Sequence, residues 1–516
     1  MKTARRALGI VSFALAGLSL VACTALPSLA QRSVSSADLD TGSTRLGRAV
    51  AAGVAAHPGK SGVYALPDGR DAFAARVLAA RAAERTLDVQ YYIWHHDMTG
   101  TLLFQALREA AERGVRVRLL LDDNNTGGMD TVLAALDAHP RIEVRLFNPF
   151  VVRGVRALGY LTDFGRANRR MHNKSFTADS QATIVGGRNV GDAYFGATDD
   201  VLFADLDVLA VGPVVAEVAR DFDRYWRSDS AYPAARLLAP ADPDSLNALA
   251  AAAREIGRSA RARAYVQALR DSAFTLDASS GKLDLEWAAT RLLSDDPAKA
   301  LGRAAPGTLI FEQLRQTMGE PHAQLDLVSP YFVPQEAGVR GLTALAAKGV
   351  KVRVLTNALE ATDVAAVHAG YAKHRKALLQ AGIAVYELRR SSQTAAPDRA
   401  GGPGGSSASS LHSKTFAVDR ARVFIGSFNF DPRSARLNTE MGFVIDSPAL
   451  AQRIADAFER QIPLRAYEVG LAPDGGLYWL ERRGSEQVRH AVEPGTSRAQ
   501  RAALALLSLL PIDWML

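Results

Sequence analysis

Apolar and polar positions change their period along the chain, and they do so twice in the same order. Leu87 to Trp94 alternates and is rich in β-formers, Thr101 to Arg113 has helical spacing, and Val115 to Leu121 alternates again. Strand, helix, strand predicts a βαβ unit. The order returns at Leu325 to Val333, Gly341 to Lys348 and Val350 to Leu355. The copies align: Gly114-Val115-Arg116-Val117-Arg118-Leu119 matches Gly349-Val350-Lys351-Val352-Arg353-Val354, an offset of 235 (349 minus 114). A period that long means a duplicated domain rather than a solenoid.

The linking stretches differ from these units. Leu246 to Ala305 is rich in Ala and Arg at helical spacing and predicts a helical insertion between the halves. Residues 24 to 60 are rich in Ser, Ala and Gly without clear periodicity and predict a tether. Ser391 to Ser410, with Gly401-Gly402-Pro403-Gly404-Gly405, has no core-forming residues and predicts a loop that runs directly into Leu411-His412. Ala502 to Leu516 is an apolar tail, read as a cap on a core or as a membrane-surface contact. The resulting division is 1–22 leader, 23–60 tether, 61–240 first domain, 241–310 insertion, 311–470 second domain and 471–516 extension.

Composition narrows the class. With 48% apolar and 22% charged residues in 516, a large core is available and a disordered, collagen-like or disulfide-rich scaffold is excluded. The net charge of +7 is too small to signal a nucleic-acid partner by itself. One cysteine excludes an internal disulfide, but its position is informative. Lys2, Arg5 and Arg6 precede 16 uncharged residues, Ala7 to Ala22, which reads as a secretory signal too short to span a bilayer. The run ends Leu20-Val21-Ala22-Cys23, similar to the lipobox of bacterial lipoproteins, and Cys23 is then the acylated anchor. The alternative is cleavage after Ser28-Leu29-Ala30, with Cys23 lost. Removing residues 1–22 leaves about +4 (7 minus 3). The body is therefore expected at a membrane surface of a bacterial envelope. Thr24 after the cysteine leaves inner and outer membrane both open.

The chain has only ten histidines and ten lysines, so a repeated pairing of the two stands out. Met171-His172-Asn173-Lys174 is followed by Asp179, and Leu411-His412-Ser413-Lys414 by Asp419, each H-x-K-x-x-x-x-D at an offset of 240 (412 minus 172). Each histidine is followed 17 residues later by an asparagine, Asn189 in Gly186-Gly187-Arg188-Asn189 and Asn429 in Gly426-Ser427-Phe428-Asn429. On a strand, alternate side chains share a face, so His172 and Lys174 are expected to face one pocket, and likewise His412 and Lys414.

This duplicated pattern resembles the phospholipase D superfamily, over roughly residues 60 to 510. Leu87-Asp88-Val89-Gln90-Tyr91-Tyr92-Ile93-Trp94, Leu119 to Asn125 and Asp431 to Glu440 look most like its cardiolipin synthase C branch. The resemblance implies an α/β fold: two α/β/α sandwich domains related by an internal pseudo-twofold, with both motifs meeting in one active site. It also implies phosphatidyl transfer that makes cardiolipin from phosphatidylglycerol and a second phospholipid, possible donors being phosphatidylglycerol itself and phosphatidylethanolamine. Open alternatives are a phospholipase D-type hydrolase or nuclease-type phosphodiesterase, and a non-catalytic lipid-binding lipoprotein. A nuclease would be expected to carry a stronger basic balance, and a binding module needs no proton donor.

Phosphodiester exchange without a metal needs a nucleophile, a proton donor and positive charge on the phosphoryl oxygens. Histidine suits the first two roles because its ordinary pKa lies near neutrality. By analogy with the family, His172 is the nucleophile and His412 the acid and base; the residues alone do not distinguish them. Lys174, Lys414, Asn189 and Asn429 are expected on the phosphate, with Ser427 either a further donor or a turn cap. An imidazole in use needs its other nitrogen held, and the family supplies an acidic residue for this. Glu440 fits in the second copy. In the first, Asp200 and Asp205 compete, and Asp205 is preferred because Asp205-Leu206-Asp207-Val208-Leu209 reads on as a strand. Asp179 and Asp419 complete the catalytic motif, but their odd offsets favour bracing turns over touching substrate.

Three further features carry weaker expectations. Tyr92, Trp94, Tyr331 and Phe332 end equivalent strands and are candidates to wall a lipid groove, with plain core as the alternative. Arg153, Arg156, Arg166, Arg169 and Arg170 form a basic run suited to anionic headgroups or to a solvated loop. His95 and His96 lack a ligand cluster, so neither metal nor cofactor is expected.

Overall fold

The computed structural model describes residues 26–198, 204–390 and 411–510. Cys23, the leader, Asp200, the loop Ser391 to Ser410 and the last six residues therefore lie outside the described residues. Two mixed sheets organise the rest. The first runs β8 (Ala231–Pro233), β4 (Ile142–Phe147), β3 (Arg116–Asp122), β2 (Thr86–Tyr91), β5 (Ser175–Ala178), β6 (Ala182–Gly186), β7 (Asp207–Val211), β1 (Ser61–Leu66), β9 (Glu286–Ala288). The second runs β10 (Thr290–Ser294), β16 (Met441–Asp446), β15 (Arg422–Gly426), β14 (Thr415–Val418), β11 (Gln324–Val328), β12 (Lys351–Asn357), β13 (Ala384–Leu388), β17 (Ala466–Leu471), β18 (Leu477–Arg483), β19 (Glu486–His490).

The repeat in the sequence is a repeat of topology. β2, β3 and β4 are parallel, as are β11, β12 and β13. Helices Met98–Glu112 and Gln335–Ala347 make the equivalent crossovers. The strand carrying each motif then adds antiparallel, Leu87 facing Ala178 in one half and Leu325 facing Val418 in the other. Even the buried ion pairs recur. Arg118 Nε meets Asp88 at 2.7 Å, and Arg353 Nε meets Asp326 at 2.6 Å, from the same place in the two aligned runs.

Strands β6 and β15 carry apolar residues on both faces because both faces are covered. In β6, Ile184 joins the core beneath the first layer of helices, whereas its neighbour Val185 joins a core shared by the two halves. In β15, Phe424 faces the second half's own core while Val423 and Ile425 face that shared one. Val208, Ala210, Met441, Phe443 and Ile445 complete the shared layer, so the sheets pack face to face across a pseudo-twofold.

Two linking stretches differ from expectation. The insertion is α-helical only through Ser245–Arg258, Ala260–Arg270 and Ala273–Ser279. After it, β9 pairs with β1 of the first sheet and β10 with β16 of the second, so the chain crosses between the halves as two edge strands. Open backbone at each sheet edge overrides the local composition. The stretch before residue 60 is docked rather than loose from Arg32 onward. Trp226 donates to Ser35 Oγ at 3.0 Å, the buried Arg145 guanidinium donates to Ser33 O at 2.7 Å, and residues Arg45–Ala56 form a helix. Buried Arg145 and Asp223 need partners, and this segment supplies them.

Candidate active site

The two motifs meet because the backbone crosses over just before each histidine. Met171 bridges Thr439, and Ala204 bridges Leu411. His172 N donates to Thr439 O at 2.8 Å and Thr439 N to Arg170 O at 2.9 Å, while His412 N donates to Ala204 O at 2.9 Å. One residue beyond each bridge, a histidine of one half faces a carboxylate of the other. Nδ1 of His172 is 2.8 Å from Glu440 Oε2, and Nδ1 of His412 is 2.5 Å from Asp205 Oδ2. Of the two acids weighed for the first copy, Asp205 holds this position. The H-x-K segments are extended but precede their strands: β5 begins at Ser175 and β14 at Thr415. The sheet ends there because these residues bond across to the other half instead of to a neighbouring strand.

Each carboxylate sits in its own cradle. Glu440 Oε2 also accepts from Ser427 Oγ, Oε1 accepts from Ser434 Oγ at 2.8 Å, and its backbone N–H donates to Asp295 at 2.9 Å. Asp205 Oδ1 accepts from Leu206 N at 2.8 Å, and Arg188 donates to the Asp205 carbonyl at 2.7 Å. Tyrosines close on the rings edge-on, Tyr92 against His172 at 4.9 Å and Tyr194 against His412 at 5.1 Å between centroids. Lys174 Nζ donates to His172 O at 2.6 Å and lies 5.4 Å from the centre of the Tyr92 ring, and Lys414 Nζ donates to the equivalent His412 carbonyl. Both lysines are thus tethered beside the imidazoles.

Burial and mutual charge set the protonation of this cluster. Burial, then Lys174 and Lys414, push the His172 imidazole well below its ordinary value, and burial and Lys414 push His412 down to about 3. Both shifts favour the neutral imidazole. Both lysines are lowered by burial as well, opposed by the nearby carboxylates. The two acids diverge. Burial raises Glu440 to about 7 against Lys174 and its hydroxyl donors, whereas at Asp205 the burial effect is overcome by His412, Lys414 and Arg188, which hold it below the usual carboxylate range. Asp205 is the fixed anion of the pair.

Other expected residues have different placements. Asp179 and Asp419 are outside the cluster, at the far ends of β5 and β14, roughly 15 Å along the chain from the lysines. Asp179 accepts from the backbone of Glu84, Arg85 and Thr86, and Asp419 from that of His322, Ala323 and Gln324. They therefore clamp the starts of β2 and β11, in matched turns where Asp179, Ser180, Asp419 and Arg420 all have positive φ. Ser427 points at Glu440 and accepts from Met441 N at 3.0 Å, so it supports the carboxylate rather than offering its hydroxyl to a phosphate. Asn189 accepts from Ile93 N at 3.2 Å and donates to Tyr194 Oη at 3.1 Å, leaving one amide hydrogen uncommitted by these bonds; the Asn429 amide oxygen has no partner among the described residues.

The aromatic and basic expectations divide similarly. Trp94 stacks on Phe104 at 4.4 Å and Phe332 is fully buried, both plain core, while Tyr92 lines the site and Tyr331 donates to Asp363 at 2.7 Å. None of the five arginines is an open headgroup site. Arg153 pairs with Asp123 and Asp130, Arg156 with Asp123, Arg166 with Asp163, Arg170 with Asp122, and Arg169 donates to the carbonyls of Lys299 and Arg436. The buried carboxylates of Asp122 and Asp123 draw Arg170, Arg153 and Arg156 inward. Sequence reasoning missed Tyr194, Ser434 and Thr439; the last two lie in the Asp431 to Glu440 run, whose matched position beside the second motif was the available signal. Among the described residues no group of three or more His, Cys, Asp or Glu side chains is placed to hold a metal ion.

Comparison with known proteins agrees with the duplicated architecture. The family model described as "Cardiolipin synthase, PLD-like domain" matches twice, over residues 78–226 and 314–462. Cardiolipin synthase C of Escherichia coli strain K12 is 50% identical over 472 residues, covering 92% of this chain and all of that protein. Cardiolipin synthase A of Pseudomonas aeruginosa is 27% identical over 77% of this chain and 66% of its own length. The crystal structure of phosphatidylserine synthase from Haemophilus influenzae superposes with a TM-score of 0.56 at 14% identity, over 91% of this chain and all of that one, which supports the fold.

Proposed function

Since this chain belongs to the phospholipase D-like family of cardiolipin synthases, we propose that it is a phosphatidyl transferase that makes cardiolipin, with phosphatidylglycerol as acceptor and a second phospholipid as donor. The observation that carries this reading is the crossed pair of histidine–carboxylate contacts, with both lysines beside them. With Nδ1 facing a carboxylate, Nε2 of each ring is the nitrogen assigned to the chemistry. His172 Nε2 attacks phosphorus and forms an N–P bond, while the P–O bond to the donor's headgroup breaks. The headgroup oxygen takes a proton from His412. The glycerol hydroxyl of phosphatidylglycerol then attacks phosphorus, gives its proton to His412, and releases His172. His412 takes up the proton it donates from solvent as the phosphodiester anion binds and recovers it from the glycerol hydroxyl, so atoms and charge balance over the cycle.

The divergent acids favour this division of labour. Asp205, held anionic, stabilises an imidazolium on His412, as an acid and base requires. Glu440 near 7 leaves His172 closer to a neutral nucleophile. Lys174, Lys414, Asn189 and Asn429 are assigned to the phosphoryl oxygens, where one lost donor typically costs about 3 kcal/mol of barrier. Asp179 and Asp419 are assigned to holding the two sheets that present the motifs. The protein is read as membrane-associated and anchored through an acylated Cys23; among the described residues no helix is long and apolar enough to cross a membrane.

The test is to incubate the purified chain with labelled phosphatidylglycerol, with and without phosphatidylethanolamine, and to identify products. Cardiolipin that disappears in His172→Ala supports the reading. Phosphatidic acid alone shows a hydrolase, and no turnover shows a lipid-binding protein.

A further inference from the structure

The stretch between β4 and the first motif is built opposite to an ordinary surface loop. Its cations are turned in: the side chains of Arg153, Arg156 and Arg166 are only 12%, 15% and 17% exposed, each paired with an aspartate. Its large apolar residues are turned out: Val155 is 56% exposed, Leu158 43% and Leu161 82%, with Val152 also on the surface. Concentrated apolar exposure on an otherwise well-buried chain marks an interaction surface. Here it costs the arginines their solvation, which their aspartate partners and the oxygens of Asp123, Asn148 and Pro149 offset.

The stretch is coupled to the site. Tyr160, within the short helix Ala157–Thr162, donates to Asn124 Oδ1 at 2.7 Å, two residues beyond Asp122, whose carboxylate accepts from Met171 N at 2.7 Å immediately before His172. Apolar side chains exposed beside an active site whose substrate resides in a bilayer have a natural occupant. We propose that Val152 to Leu161 is an interfacial wedge that inserts its apolar side chains among phospholipid acyl chains and holds the active site against the membrane. The inference rests on the cardiolipin synthase reading, because that reading puts the substrate in a bilayer. It replaces attraction by exposed arginines with burial of apolar area as the source of contact.

Two measurements on the full chain in phospholipid vesicles test it. Leu161→Trp should be quenched by lipids brominated on their acyl chains at least about twofold more than Leu276→Trp, an exposed control on the insertion. Leu158→Glu/Leu161→Glu should lose roughly tenfold in turnover of vesicle phospholipid, yet keep its turnover of a short-chain phospholipid dispersed as monomers. Equal quenching at both tryptophans, equal loss on both substrates, or unchanged vesicle turnover with a shifted sedimentation coefficient would each overturn it, the last by showing a second copy of the chain as the occupant. If the wild-type chain turns over neither lipid, the enzymatic reading fails while the quenching comparison still decides the wedge.

Discussion

His172 and Glu440 come from opposite halves of the chain and face each other at 2.8 Å, while His412 and Asp205 repeat the relationship in the other direction. Neither half carries a complete histidine with its own acid. Glu440→Gln keeps the side chain's length but takes away the carboxylate that selects the imidazole tautomer. By comparison with a triad whose aspartate is made an amide, kcat should fall roughly 10²- to 10⁴-fold with KM little changed. Steady-state kinetics on a protein of unchanged melting behaviour checks this; a pure KM effect would mean that Glu440 touches substrate instead.

The two histidines are separable by leaving group. A diester with a p-nitrophenyl leaving group needs little protonation on departure, so it bypasses the acid assigned to His412. His412→Ala should then still form the N–P adduct on His172 and accumulate it, because the second step lacks its base. His172→Ala should form none. Intact-protein mass spectrometry after rapid quench reads the adduct, and the reverse pattern would exchange the roles.

Burial and the neighbouring lysines favour the neutral form of both rings, with His412 pushed down to about 3. A bound phosphodiester anion offsets the lysine charges that lower it, so binding should raise the His412 value. Raised affinity of a group for its proton on binding means proton uptake, and binding should tighten as pH falls from 8 to 6. Titrating a phosphonate lipid analogue calorimetrically in buffers of different ionisation enthalpy should show uptake approaching one proton. Uptake should vanish in His412→Ala.

Asp179 and Asp419 should behave as structural residues. Asp179→Ala leaves three strand-initiating amides of Glu84, Arg85 and Thr86 without their acceptor. A loss of about 1–3 kcal/mol in stability is expected. Denaturant unfolding should show it while kcat per folded molecule stays within about twofold, since the carboxylate is remote from phosphorus. A hundredfold drop in kcat at unchanged stability would restore Asp179 to the chemistry.

Much of this was legible in the residues. The period-2 alternation located β2, β3, β11 and β12 because the polar positions between their apolar ones, Asp88, Arg118, Asp326 and Arg353, are held in buried ion pairs. The paired rare residues located His172, Lys174, His412 and Lys414. What the pattern could not carry was pairing across the twofold. That Glu440 serves His172 and Asp205 serves His412 depends on the bridges at Thr439 and Ala204, which join residues far apart in the chain and leave no local periodicity. The edge strands β9 and β10 were hidden for the same reason, since their form is dictated by the sheet edges they cover. The inward turn of the arginines between Arg153 and Arg170 likewise depends on Asp122, Asp123 and Asp130 coming from another loop.

The halves are not identical where it matters, and the difference is testable at Gly187 and Ser427, which occupy matching positions. A Cβ on Gly187 would stand 2.2 Å from Asp205 Oδ1, far inside contact distance, so any side chain there must displace the acid that holds His412. Ser427 instead spends its hydroxyl on Glu440. Gly187→Ser should therefore lower kcat about a hundredfold by moving Asp205, a displacement on the scale that costs misaligned catalysts this much. Ser427→Gly creates no clash but removes one of the hydroxyls that stabilise ionised Glu440, so Glu440 should rise further above 7 and protonate more readily. Because a protonated Glu440 has lost the negative charge that holds and orients the His172 N–H, the pH at which kcat falls on the acid side should shift upward in Ser427→Gly and not in Gly187→Ser. Parallel pH–rate profiles of the two variants would decide it; an upward shift in Gly187→Ser instead would place the acid limb on Asp205 rather than Glu440.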